Sequence, residues 1–324
     1  MTARSAFDYT RTELVDLAGT IPRANRAFSG VYRENVVAGP LELKLPAIVK
    51  RFESGDRTRR FLLRLEDGET IESVLIPEEN RFTFCVSSQV GCALACRFCL
   101  TGLLGLTRNL TAGEIVSQVI LLRQDIASAP VTRFSVVMMG MGEPLQNYDN
   151  VRRAIEILTD HRGLAVALRR ITVSTAGLVP GIERLASEPL FPNLSISLTG
   201  STDEVRNELM PINRRYPIRE VVDAVRRLPE KYRKRVMFEY VMIKGITDSM
   251  EDATRLASLF RGLRSKVNLI PLNESAEIPY IRTDHPTILA FQKILTQNGI
   301  ATFVRRNRGN DVSGACGQLK QTSN

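Results

Sequence analysis

The sequence predicts an α/β protein: a partial (β/α)6 barrel of parallel strands, preceded by a small N-terminal helical and β-hairpin domain and followed by a C-terminal tail. Two observations carry this prediction. From about residue 80 to 300, short apolar runs alternate with helix-spaced patterns, the signature of β–α units whose strands run parallel. That stretch is somewhat shorter than the roughly 250 residues a full eight-unit barrel takes, so the barrel is expected to be open. Functional groups are then expected at the C-terminal ends of the strands.

Taken in order, residues 1–75 read as a separate accessory unit. Thr10 to Leu17 and Leu43 to Phe52 look helical, and Arg60–Leu65 alternates into the turn Glu66-Asp67-Gly68 and the run Thr70–Ile76, a hairpin. Residues 76–300 form the barrel. Its strand candidates are Thr83–Ser87, Arg133–Met139, Arg170–Ser174, Asn193–Leu198, Val236–Met242 and Lys266–Ile270. The clearest helix is 111–128, where Ile115, Val119, Leu122 and Ile126 recur at helical spacing behind the capping-box sequence Thr111-Ala112-Gly113-Glu114. Residues 301–324 hold a last strand, Ile300–Val304, and a polar, Gly-rich tail containing Cys316.

Composition narrows the function classes. The chain has 324 residues, 44% hydrophobic and 24% charged, which excludes disordered, collagen-like and coiled-coil classes. No apolar run approaches the roughly 20 residues that span a bilayer. The opening Met1–Asp8 lacks the apolar core of a secretory leader, so the expected compartment is the cytoplasm, with no membrane partner. Lys and Arg number 44 against 35 Asp and Glu, a net charge of +9 that favours a polyanionic partner such as RNA. The density of Arg and Lys between Arg206 and Arg235, and at Arg305, Arg306 and Arg308, reads either as solvated surface or as a track for RNA phosphates.

The five cysteines carry the chemistry. Cys92, Cys96 and Cys99 have the spacing C-x3-C-x2-C and follow the first barrel strand. Three thiolates so placed can hold three irons of a four-iron cluster, leaving the fourth iron open to a ligand. Zinc is the alternative, but zinc sites normally close a four-ligand shell and only two His exist in the chain. This spacing resembles the radical S-adenosylmethionine (SAM) enzymes. There, the resemblance implies, the open iron of a [4Fe-4S] cluster holds SAM, which on reduction is split to a 5′-deoxyadenosyl radical.

Further motifs end the strands. Met138-Met139-Gly140-Met141-Gly142-Glu143-Pro144 is either a plain strand-to-loop turn or, one unit after the cysteines, a loop resembling the SAM methionine-binding loop. Ser174-Thr175-Ala176-Gly177, Ser197-Leu198-Thr199-Gly200 and Asn268–Asn273 each put small polar groups at a strand end. Singly each reads as a helix cap, whereas together they suggest a shared ligand.

The run Cys85–Cys92 with Cys96 and Cys99, then Arg108-Asn109-Leu110, Met138–Pro144, Met210-Pro211-Ile212-Asn213 and Ala315-Cys316-Gly317-Gln318 resembles the RlmN/Cfr family of radical-SAM RNA adenine methyltransferases. The likeness runs from the hairpin near residue 60 to residue 319 and accounts for every cysteine. It implies transfer of a methyl group to C2 of an adenosine in 23S rRNA, and in many members also to the tRNA adenosine beside the anticodon. Two SAM molecules are consumed. The first methylates a cysteine, and the second generates the radical that converts that S-methyl group to a methylene radical, which adds to the ring. A second cysteine then releases the product by forming a transient disulfide. By motif, Cys316 would carry the methyl group, Cys85 would resolve the adduct and Glu72 would accept the proton. Without the resemblance, Glu72 reads as an exposed strand carboxylate. SAM contacts are implied at Gly142, Glu143, Ser174, Ser197, Leu198, Thr199 and Asn273, with Cys92, Cys96 and Cys99 on the cluster. Many members carry His where this chain has Thr199, which leaves the backbone there for any contact. The implied partners are 23S rRNA, tRNA and an electron donor such as flavodoxin or ferredoxin, acting with a monomer. The alternatives are Cfr-type methylation of C8, a different radical-SAM enzyme such as a glycyl-radical activase, and a zinc-containing RNA-binding protein.

Overall fold

The computed structural model describes residues 5–34, 36–37 and 41–321. Of the opening segment Met1–Asp8, residues 1–4 lie outside the described residues, as do 322–324 of the tail. Among the described residues, ten strands form one sheet, with a separate two-stranded hairpin beside it. The strands are β1 (Ala47–Glu53), β2 (Arg59–Arg64), β3 (Thr70–Glu78), β4 (Arg81–Cys85), β5 (Gln89–Cys92), β6 (Gly105–Asn109), β7 (Phe134–Met138), β8 (Ile171–Thr175), β9 (Asn193–Ser197), β10 (Val236–Met242), β11 (Lys266–Pro271) and β12 (Ala301–Val304).

From β4 onward the main sheet is parallel, in the order β4-β7-β8-β9-β10-β11-β12. The six predicted barrel strands and the last strand are all present, within two residues of their expected ends. In β8 and β9 apolar and polar residues alternate, with Ile171, Val173, Leu194 and Ile196 buried in the core. Helix Ala112–Asp125 has the reciprocal capping box foreseen at Thr111 and Glu114. Among the described residues, no helix is long and apolar enough to cross a membrane.

The N-terminal region differs from its prediction in one element. Residues 43–52, expected to be helical, give strand β1 instead, paired antiparallel with β2. Pro46 has no N–H to donate, and Ile48 and Val49 are β-branched, so the segment fits a ladder better than a helix. Helical periodicity was mimicked because β1 is an edge strand with most residues exposed, leaving no buried face to impose alternation. β1, β2 and β3 extend the barrel sheet, since β3 pairs antiparallel with β4, and the boundary drawn at residue 75 falls within β3. Helices Arg11–Ala18 and Ile21–Ser29 pack on the barrel's outer helices. Asp8 accepts from the Gly113 N–H at 2.6 Å, where the first barrel helix has free amides, and Arg11 pairs with Asp160 at 2.8 Å.

The β5–β6 hairpin carries the cysteine loop. Gly91 lies at φ +76° with the Gly105 carbonyl oxygen only 1.9 Å from where a Cβ would sit. Only glycine permits both the conformation and the approach. Replacing Gly91 by Ala is expected to destabilise the protein by at least about 2 kcal/mol. Denaturant unfolding of the two proteins measures the difference, and equal midpoints would remove the constraint.

Candidate active site

The C-terminal ends of the parallel strands enclose two adjoining cavities. The inner one, about 160 Å³, is lined by Cys92, Cys96 and Cys99 together with Gly142, Glu143 and Asn273. Local hydrogen bonds fix the cysteine loop. The Cys99 N–H donates to the Cys96 carbonyl at 3.1 Å, the Arg97 N–H to Leu209 at 2.9 Å, and the Leu100 N–H to Gly317 of the tail at 2.7 Å. Burial, reinforced by the neighbouring cysteines, pushes the Cys96 and Cys99 thiols up and takes Cys92 to about 12. Three thiols crowded in one cavity can give up their protons to a metal. Among the described residues, no three His, Cys, Asp or Glu side chains converge as they would on a single ion. Thiolates that each bind a different iron of a cluster have no need to converge.

Glu143 forms the wall beside them. Its two carboxylate oxygens accept from the Leu145 N–H at 3.1 Å and the Ala176 N–H at 2.7 Å, and its own N–H donates to Gln89 at 2.8 Å. Burial raises its carboxyl to about 7 against those bonds. Such a carboxylate can receive an ammonium group. Asn273 and Thr199 each keep a buried side-chain oxygen with no protein partner. Asn273 lines the inner cavity.

Below the cavity lies a residue that sequence reasoning misplaced. Arg206, taken as solvated surface or RNA track, is fully buried. Its guanidinium donates to the carbonyls of Ala176 (2.6 Å), Ser197 (3.3 Å), Leu198 (2.8 Å) and Tyr216 (3.2 Å), and to the Asn213 side chain (2.6 Å). It ties the loop after β8 to the end of β9. Burial lowers it to about 10, so it remains a cation at neutral pH. The surrounding Met210-Pro211-Ile212-Asn213 motif was the available signal, because Asn213 is one of its partners.

The outer cavity, about 370 Å³, is lined by Cys85 at the end of β4 and by tail residues including Arg305, Arg306, Arg308 and Cys316. Cys316 lines both cavities. Asn273 holds the Cys316 carbonyl at 3.0 Å. The tail is strapped on either side of that cysteine. Asp311 accepts from Ser54 and from the Gly55 N–H (3.1 Å) at the β1–β2 turn, and Thr101 donates to Leu319 at 2.7 Å. All five cysteines are free thiols here.

Glu72 is not an exposed strand carboxylate. It is completely buried, ion-paired with Arg60, and accepts from the Lys320 N–H at 3.1 Å. Burial raises its carboxyl although Arg60 opposes the shift. It does not line either cavity. Of the residues implied to contact SAM, Gly142, Glu143, Ser174, Ser197 and Asn273 line the inner cavity, while Leu198 and Thr199 are buried and do not. Sequence reasoning missed Glu239 of β10, which lines the inner cavity as a buried carboxylate. In the sequence it sits in an ordinary strand pattern.

Comparison with known proteins adds three findings. The profile of the radical SAM superfamily matches residues 86–257. The chain is 49% identical over 285 residues to the dual-specificity RNA methyltransferase RlmN of Pelobacter propionicus, covering 86% of this chain and 81% of that one. It is 50% identical over 267 residues to the protein of the same name from Geobacter sulfurreducens, covering 82% and 72%. A crystal structure of a radical SAM methyltransferase from Sphaerobacter thermophilus superposes with a TM-score of 0.94 at 43% identity, over 99% of this chain and 100% of that one.

Two outcomes follow from the geometry. Arg206→Met strands buried carbonyls, each costing about 1–3 kcal/mol, so a loss of roughly 3 kcal/mol or more is expected in denaturant unfolding. Glu143 makes stability depend on pH. Its folded-state carboxyl stands at about 7, above the unfolded value near 4.5, so the stability it contributes is full below about 4.5 and lost as pH rises through 7. Glu143→Gln is expected to flatten the thermal-stability profile across that window. An unchanged slope would show that the carboxyl titrates normally.

Proposed function

The chain belongs to the radical SAM superfamily and, within it, to the RlmN RNA methyltransferases, and we propose that it methylates C2 of adenosine in 23S rRNA and in tRNA. The observation that carries this reading is the convergence of Cys85 and Cys316, 231 residues apart (316 − 85), on one cavity, with Cys316 also reaching the cavity of the three-cysteine loop. A carrier cysteine has to face both its methyl source and its acceptor, and Cys316 meets that demand.

The donor set fits the implied cofactors. Cys92, Cys96 and Cys99 would hold a [4Fe-4S] cluster. Gly142, Glu143, Ser174, Ser197 and Asn273 would hold SAM, with Leu198 and Thr199 backing that wall. Glu143 suits the amino group, and the unpartnered Asn273 oxygen supplies a further acceptor. Bound there, the cluster and SAM supply the methyl group and the one-electron chemistry that activates it. The protein's own groups do the rest. C2 of adenine is not a nucleophile, so the methyl group must pass through one, and a cysteine sulfur serves. The outer cavity lies within the range of small-molecule sites, roughly 300–1,000 Å³, and admits the acceptor base beside Cys316. Glu72 would accept the proton that leaves C2. Burial raises its carboxyl while Arg60 opposes the shift, and it lies behind the cavity wall, in strand β3, which pairs with the strand of Cys85. Cys85 would attack Cys316 and release the product.

Arg306 and Arg308 at the cavity mouth suit RNA phosphates, and residues 1–75 would serve as an accessory RNA-binding element. The partners completing the reading are a one-electron donor such as flavodoxin or ferredoxin and the cytoplasmic RNAs themselves, with the enzyme acting as a monomer in the cytoplasm.

The test is nucleoside mass spectrometry after anaerobic reaction of the reconstituted enzyme with a 23S rRNA fragment and with tRNA. The expected product is 2-methyladenosine, absent with Cys316→Ala. A dominant 8-methyladenosine product would move the chain to the Cfr type, and full turnover by Cys316→Ala would end the methyl-shuttle account.

A further inference from the structure

Arg305 follows β12 and occupies the wall shared by the two cavities, alongside Cys316. On the inner side it shares the cavity lining with Glu239. That carboxylate is itself clamped: the Ser195 hydroxyl donates to one oxygen at 2.6 Å and the Asn268 amide to the other at 2.7 Å. Both bonds come from neutral donors, and Arg305 is the cation that lines the same cavity. On the outer side Arg305 meets Cys85 and Cys316. The guanidinium thus stands between a fixed anion and two sulfurs. Its own pKa is raised by Cys316 first, then by Glu239 and Cys85, against the cost of burial.

Cys85 needs such a neighbour. Burial and the adjacent Cys316 push its thiol up to about 12, which leaves very little of the nucleophilic thiolate at neutral pH. Arg305 is the cation that lowers it. The other charged groups around this cavity are Glu78 of β3 and Arg306 and Arg308 of the tail, while β7 contributes the uncharged Met139. Glu72 of β3 is occupied by Arg60.

We propose that Arg305 is a positioning residue for product release: its guanidinium, in the cavity wall between Glu239 and the two sulfurs, orients the Cys85 side chain for attack on the sulfur of Cys316. This rests on the methyl-shuttle reading above. In the step itself Cys85 loses its proton to water, and its sulfur bonds to that of Cys316. The bond from Cys316 sulfur to the methylene carbon on adenine breaks, and its electron pair leaves with the carbon. The carbon takes up one proton and becomes the methyl group. The two sulfurs are oxidised to a disulfide and the carbon is reduced, so no further reagent is needed.

The test uses the cluster-loaded protein with Arg305→Gln and Arg305→Lys. First, iodoacetamide labelling of Cys85 is followed by mass spectrometry against pH in a Cys316→Ala background, without RNA. Arg305→Gln is expected to slow labelling roughly tenfold at a given pH, a rise of about one unit in the midpoint, and Arg305→Lys to restore most of it. Second, in single turnover with a 23S rRNA fragment, Arg305→Gln is expected to accumulate covalent RNA–protein adduct about tenfold above the unsubstituted enzyme, the outcome also expected of Cys85→Ala. An unchanged labelling midpoint in Arg305→Gln, or a shift that Arg305→Lys does not reverse, overturns the proposal. If Cys85→Ala traps no adduct, it is the methyl-shuttle reading that fails, whereas the labelling result still decides the role of Arg305.

Discussion

The site depends on one buried cation. Parallel strands end in backbone carbonyls that have no partner once the chain turns away, and at the mouth of a barrel water must be kept from them. Arg206 meets several of these carbonyls with one planar group. A guanidinium has five N–H donors in fixed geometry, so it can join the end of β9 to the loop after β8 where a lysine could not. The cost of burying its charge is offset because each donor finds an oxygen. The wall presenting Ser174, Ala176 and Ser197 to the inner cavity is held in place by this contact.

A second constraint comes from leaving the barrel open. The ten-stranded sheet has two free edges, β1 and β12. The tail after β12 crosses back to the β1–β2 turn, where Asp56 and Asp311 bind across the gap. Its far end is held by Thr101 and by the Glu72–Arg60 pair through the Lys320 N–H. These contacts lie on either side of Cys316. Ordering a polar, Gly-rich segment loses considerable entropy, and the segment is held because its backbone groups are satisfied at several separate points. The cysteine is thereby fixed at the wall between two cavities.

The electrostatics of the site follow from burial. Thiols and carboxyls enclosed by the sheet ends are driven toward their neutral forms, as Cys85, Cys92 and Glu143 show. Cations then decide which of them can ionise. Arg60 faces Glu72, Arg305 faces Cys85 and Cys316, and Arg206 lies beneath Cys96. An excess of arginine that looks like general basicity in the composition is, at Arg60 and Arg206, interior counter-charge, and at Arg305 half-buried in the cavity wall.

The parallel strands were legible because short stretches rich in apolar and β-branched residues recur between helix-spaced ones, and the helix at 112–125 because its capping box and apolar spacing agree. The cysteine spacing and the Gly-Glu-Pro loop were legible because their chemistry is local. Strand β1 was misread because an exposed edge leaves no pattern of burial in the residues. Arg206, Glu239 and Arg305 were unreadable for a related reason: a charged side chain looks the same in sequence whether it meets water or a buried partner. The sequence by itself determined the order of β–α units and the spacing of the three clustered and two remaining cysteines. Only the tertiary structure decided that Cys316 comes to rest between two cavities and which arginines are interior. Those facts depend on contacts between residues far apart in the chain, where local propensity carries no information about distance.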